Sequence, residues 1–171
     1  MTLIRMIGSI ARWDGSAKVD RKDATIGGDA VSDLRTVNNE LSVWAGDTAQ
    51  DKDDAVVALA LGRDSVQKLC YLELDENELA KIEIKAEDES GNVKGLTEEL
   101  RFKHKNLVQI DYKRIGLLAE YMVKLTKDKR YHSKSKTEIK SLLVKYKSEG
   151  KINPAEVKSD RIKAVLIGSA E

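Results

Sequence analysis

Residues 126–143, TKDKRYHSKSKTEIKSLL, decide how the second half of the chain is read. They hold Lys127, Lys129, Arg130, Lys134, Lys136 and Lys140, together with Tyr131 and His132. To the right, Ser135-x-x-Glu138 is a capping box, in which each residue satisfies a free N–H of the other. It opens a helix whose apolar stripe is Ile139, Leu142, Leu143 and Tyr146, with Gly150 placed as the stop. To the left, Ile115, Leu118, Ala119, Met122 and Leu125 recur at helical spacing and predict a helix over residues 112–127. The basic stretch is therefore expected to join two helices of a hairpin spanning residues ~112–149. It is a poor fit to a DNA-reading helix–turn–helix, because the link is long and lacks glycine.

The first 110 residues carry a different period. Residues 3–12 read as an opening strand. Residues 14–35 read as a polar loop with a Gly27-Gly28 turn and a short element near Ala30–Leu34. Asn38-Asn39 marks a turn into a strand over 40–44, with Leu41 and Val43 on one face and Ser42 and Trp44 on the other. Thr48 or Asp51 can cap a helix start. The run AVVALAL (55–61) fits a buried strand or a helix, and the β-branched Val56-Val57 pair and the closing Gly62 favour a strand. Leu69, Tyr71 and Glu73 alternate with Cys70, Leu72 and Leu74. Ile82 and Ile84 alternate in KIEIK, and RFKHKNLVQID would continue the sheet with Phe102 and His104 on one face. Asn153-Pro154 opens a short terminal element. The expected fold is α+β, a mainly antiparallel sheet (residues ~1–110) followed by the helical hairpin and that terminal element. One domain, 1–171, is expected, sheet-rich and acidic over 1–110, helical and basic over 111–171.

Composition narrows the classes. Charged residues make up 35% of the chain, above the usual share, and hydrophobic residues 41%. A single Pro rules out Pro-rich linkers, and no apolar run is long enough to span a membrane. A lone cysteine, Cys70, forbids an internal disulfide, and the first residues lack a basic leader, so a cytoplasmic protein is expected. The net charge of +1 hides a split: residues 1–100 hold 12 Lys and Arg against 21 Asp and Glu, and residues 101–151 hold 15 against 5. Such asymmetry points to charged partners.

No phosphate-loop or nucleophile-elbow motif occurs. Asp47, Asp51, Asp53 and Asp54 do not follow the calcium-loop spacing, and two distant His with one Cys do not follow a zinc spacing. No metal and no cofactor is therefore expected. Cys70, in KLCYLEL, reads as a buried inert thiol. Trp13 and Trp44 read as core. The cations Lys124, Lys127, Lys129, Arg130, Lys134, Lys136 and Lys140, with His132, form the candidate binding surface. They suit contacts to phosphates without reading bases. The expected function is a non-enzymatic binding or accessory protein, its partner a nucleic acid or an acidic protein, with no membrane. One alternative is a small metal-independent enzyme on RNA, DNA or a nucleotide. There His104 or His132 would move the proton, with Arg130, Arg114 and Tyr131 around the phosphate. Another is an antitoxin-like or inhibitor protein whose acidic half binds a basic partner.

Overall fold

The structure is a computed structural model that describes residues 1–13 and 28–168. Six strands form one antiparallel sheet: β1 Thr2–Ile7, β2 Leu41–Ala45, β3 Leu69–Asp75, β4 Lys85–Asp88, β5 His104–Val108 and β6 Tyr131–Lys134. Their order is β4-β5-β2-β1-β3-β6. The helices are α1 Ala49–Leu61, α2 Glu76–Lys81, α3 Glu98–Arg101, α4 Tyr112–Lys127, α5 Lys136–Ser148 and α6 Asp160–Ile167. The α+β class and the antiparallel sheet stand as the residue periods indicate.

The central strands are buried on both faces, and their alternation sorts the helices. Leu3, Ile7, Leu41, Val43, Leu72, Leu74 and Leu107 point to one side, where they meet Leu118, Met122 and Leu125 of α4 and the fully buried Trp13. Ile4, Trp44, Leu69 and Tyr71 point to the other, against α1, α5 and α6. The α5 stripe of Ile139, Leu143 and Tyr146 is completely buried there. So α4 and α5, adjacent in sequence, cover opposite faces.

The stretch between them is where the structure differs most from the expectation. It is no hairpin connection. Residues 131–134 form β6, paired with β3 in the register Leu69↔Lys134 to Leu72↔Tyr131. The chain thus rounds the sheet edge by adding a strand to it. A second difference concerns residues 55–61, which are helical. Thr48 and Asp51 form a complete capping box that starts α1 at Ala49, and the apolar run after it is buried on nearly every side. A helix packed all round needs no polar stripe, so its period is hidden. Smaller shifts follow. Residues 10–12 form a 3-10 turn rather than extending β1, and Gly28–Leu34 forms another. Ile82 ends α2, with the strand beginning at Lys85, and Phe102 ends α3 and is largely exposed. Gly27 of the expected Gly27-Gly28 turn lies outside the described residues. The Asn38-Asn39 turn is present, both residues having left-handed φ (53° and 62°) between the bridged Val37 and Glu40.

One partly buried ionic network, centred on the buried Asp54, ties the helical face to the sheet. Lys103 Nζ lies 2.6 Å from both Asp51 Oδ1 and Asp54 Oδ2, and Tyr146 donates to Asp54 Oδ1 at 2.5 Å. Gln50 donates to the same Asp54 oxygen at 2.9 Å. The bonds from Lys103 and Thr48 hold the Asp51 carboxyl down at about 2. Burial works to raise Asp54, but its bonds from Lys103, Tyr146 and Gln50 prevail and leave it below the usual carboxylate value.

Replacing Lys103 with Met strands two close carboxylates and is expected to cost about 3 kcal/mol in chemical denaturation. The folded carboxyls bind protons less readily than the unfolded ones. Their stabilisation is therefore present above the ordinary Asp value of 3.8 and lost as pH falls toward 2. A thermal melting series across that window is expected to slope more steeply for the native chain than for K103M.

Candidate functional site

The structure places the expected cations around the β6 edge on both faces of the sheet. Lys124 and Lys127 lie on α4, Lys129 and Arg130 in the turn after it, His132 and Lys134 on β6, and Lys136 and Lys140 on α5. Two of these are compensated. On the face shared with α1, Lys134 Nζ lies 3.2 Å from Asp53 Oδ1, and His132 Nε2 lies 2.9 Å from Glu73 Oε1, which Lys52 also meets at 2.6 Å. The His132 ring stacks on Tyr71 across the strand pair, centroids 5.2 Å apart. Burial, then the charges of Glu73 and Asp53, push the Tyr71 hydroxyl up to about 12, so it stays protonated. The other six, Lys124, Lys127, Lys129, Arg130, Lys136 and Lys140, are exposed and form no ion pair with any described residue.

Lys129 holds a conformationally costly position. At the end of α4, Arg130 N–H donates to the Leu125 carbonyl and Lys129 N–H to that of Thr126, a Schellman closure with Lys129 in left-handed backbone at φ 57°. The chain ends α5 the same way, through Lys151 to Tyr146 and Gly150 to Lys147, and there the left-handed residue is glycine, φ 72°. It ends α2 likewise, through Ile84 to Leu79 and Glu83 to Ala80, with Glu83 left-handed. Glu83 has a local reason to be there: its carboxylate and carbonyl both accept from Arg114. Lys129 has no such partner among the described residues.

Of the residues of the enzymatic alternative, Arg130 and Tyr131 directly precede His132 in the chain, and the others lie elsewhere. His104 and His132 share a face but stand four strand spacings apart, about 19 Å. Tyr131 points to the face opposite His132, and Arg114 is held at the start of α4 by Asp111 and Glu83. Cys70 is buried, and Trp13 and Trp44 are core. Of the four clustered Asp, Asp51 and Asp54 take Lys103, Asp53 takes Lys134, and Asp47 accepts the Thr2 N–H at 2.6 Å.

A second polar assembly was not singled out from the sequence. A cleft of about 400 Å³ lies where β1 and β2 part, lined in part by Arg35, Glu40, Ser42, Glu89, His104 and Asn106. The β1–β2 register holds only two pairs, Leu3↔Ala45 and Ile4↔Trp44. Beyond them the Arg5 guanidinium spans the gap, donating to the carbonyls of Ser42 (2.8 Å) and Asp33. Desolvation, opposed by Asp33, lowers the Arg5 pKa to about 10, so it remains a cation at neutral pH. Asn106 donates to Glu40 Oε2 at 2.7 Å and to Glu89 Oε2. The signal available in sequence was the alternation of His104 and Asn106 in β5, two polar side chains on a face that also carries Trp44.

The fold and the edge together describe an α+β protein with one uncompensated basic margin. Compared with protein-family models, curated proteins and solved structures, the chain has no significant match. No described helix is long and apolar enough to cross a membrane.

Relieving the left-handed strain at position 129 separates folding from use. K129G is expected to raise the unfolding free energy by up to about 1 kcal/mol, since a non-glycine residue there costs roughly that much. Equilibrium denaturation measures it, and a loss of stability would show that the Lys129 side chain serves the fold.

Proposed function

We propose that the protein is a non-enzymatic cytoplasmic binding protein whose basic β6 margin contacts the phosphate backbone of a nucleic acid without reading base sequence. The observation that carries this reading is Lys129, a cation that forms no ion pair among the described residues, held in a backbone conformation that glycine adopts at less cost. Five more exposed cations without an ion pair among the described residues lie on the end of α4, in the turn after it and on the start of α5, on both sides of one sheet edge. Cations along an exposed edge also deter pairing with other sheets. That accounts for Lys134 on the strand itself and leaves the helix cations Lys124, Lys127, Lys136 and Lys140 unexplained. The aromatic groups near the margin already have partners in the fold: the partly buried Tyr131 packs toward α4, and the exposed His132 stacks on Tyr71. Base stacking is thus no part of the proposal, and phosphate contact is.

The open hydrogen-bonding side of β6 favours one second reading. An acidic, extended segment of a protein partner would add to that edge, its carboxylates meeting the same cations.

Fluorescence anisotropy with labelled single-stranded and duplex oligonucleotides at low salt tests the first reading. Binding is expected to be independent of sequence and to weaken as salt rises. Replacing Lys129 and Arg130 with Gln is expected to lower the slope of log K against log salt by about 1 per cation removed. Absence of binding at low salt, or an unchanged slope in the double variant, contradicts the nucleic-acid reading.

A further inference from the structure

The sheet has two open edges, and they carry opposite charge. Among the described residues β4 pairs only with β5, and β6 only with β3. Each therefore turns a row of backbone N–H and C=O groups outward. Residues 83–89, which hold β4, carry Glu83, Glu87, Asp88 and Glu89 against the single Lys85. Residues 129–136, which hold β6, carry Lys129, Arg130, Lys134 and Lys136 and no acid. Charge on an edge strand deters pairing with a like edge. Two copies meeting β4 to β4 would set acids against acids, and β6 to β6 would set cations against cations. Pairing β4 of one copy with β6 of another brings opposite charges together.

The strand directions permit that pairing. Every neighbouring pair in the described sheet is antiparallel, and the sheet has six strands. An even number leaves the first and last strands running in opposite directions. A second copy whose sheet continues the first thus lays its β4 antiparallel to the first copy's β6, and the ladder carries on in the same pattern. The faces match as well. Glu87 pairs with Asn106, two residues from His104, which pairs with Trp44 on the α1 side. His132 and Lys134 pair with Tyr71 and Leu69 on that same side. The register that sets Lys134 opposite Glu87 also sets Ser133 opposite Asp88 and His132 opposite Glu89. A slip of one residue would put the acids and the cations on different faces. Glu87 is exposed and forms no ion pair with a described residue, and Asp88, though paired with Lys105, is 81% exposed. Lys134 has three N–H donors, enough to keep Asp53 and meet a further carboxylate.

We infer that the protein associates with a second copy of itself through β4 of one molecule and β6 of the next, extending the sheet head to tail. The inference rests on the second reading of β6, an edge that takes up an acidic extended segment, and not on contact with nucleic acid. A contact between two different surfaces leaves one of each free at the ends, so growth does not stop at a dimer. Four residues a side make a small interface, so association is expected to be weak and to need high protein concentration.

Sedimentation velocity on the nuclease-treated full chain, at rising concentration in low and high salt, tests this. The mean mass is expected to climb past that of a dimer without levelling, and to fall as salt rises. E87K, at the β4 edge, and R130E, beside β6, are each checked for unchanged circular dichroism. Each is expected to weaken association at least about tenfold, the effect of setting like charges against each other. An equimolar mixture of the two is expected to regain association, because each variant supplies the edge that the other lacks. Glu87 lies at the edge far from the basic margin, so E87K is expected to bind oligonucleotides as the native chain does. That separates a failure here from a failure of the phosphate reading. A monomer at every concentration, a mass that levels at a dimer, association that strengthens with salt, or a mixture no more associated than its parts overturns the inference.

Discussion

The constraint on which the structure depends is that β1 and β3 bury apolar side chains on both faces, Leu3, Ile7, Leu72 and Leu74 on one and Ile4, Leu69 and Tyr71 on the other. A strand that buries apolar residues on both faces must be covered twice. The chain meets this with α4 on one side and α1, α5 and α6 on the other. Since α4 and α5 are consecutive, the segment joining them must pass around the sheet. It does so at the nearest edge, beside β3, and satisfies its own backbone there by becoming β6. The basic margin follows from this route: cations on the end of one helix, the start of the next and the strand between are spread over both faces of one edge.

Local signals in the sequence are faithful to the fold. The helix stripes at 112–127 and 136–148, the Ser135–Glu138 capping box, the Gly150 stop and the alternation through β2 and β3 each depend on neighbours a few residues away, and each is where the residues indicate. What escapes is set by distant packing. The strand β6 is four residues, YHSK, of which only Tyr131 reaches a core, so it has no apolar alternation to read. Residues 55–61 carry apolar side chains on every side because three layers surround α1. The candidate site divides in the same way. The cations are visible as composition, but their compensation is not: nothing local says that Asp53 meets Lys134 or that Glu73 meets His132 while Lys129 forms no ion pair with any described residue.

The charged residues thus fall into two populations. Lys52, Lys103, Lys134, Arg114 and His132 are engaged with acids and hold helices or strands in place. Their contribution is to the position of elements, and breaking one buried pair leaves the other charge uncompensated. The second population, centred on Lys129 and Arg130, forms no ion pair among the described residues, and a charge without such a structural task is the stronger functional lead.

The account rests on β6 being a strand at the edge beside β3, and one measurement tests that directly. Ser133 lies opposite Cys70 in the β3–β6 register, and Cys70 is the only cysteine of the chain. Directly opposed residues of an antiparallel pair have Cα separations that a disulfide can span. Ser133→Cys, oxidised at low protein concentration, is expected to give a monomer lighter by two hydrogens, with residues 70 and 133 joined in the peptide map. A helical hairpin would leave the two thiols free or joined only between molecules, and that result would contradict the account.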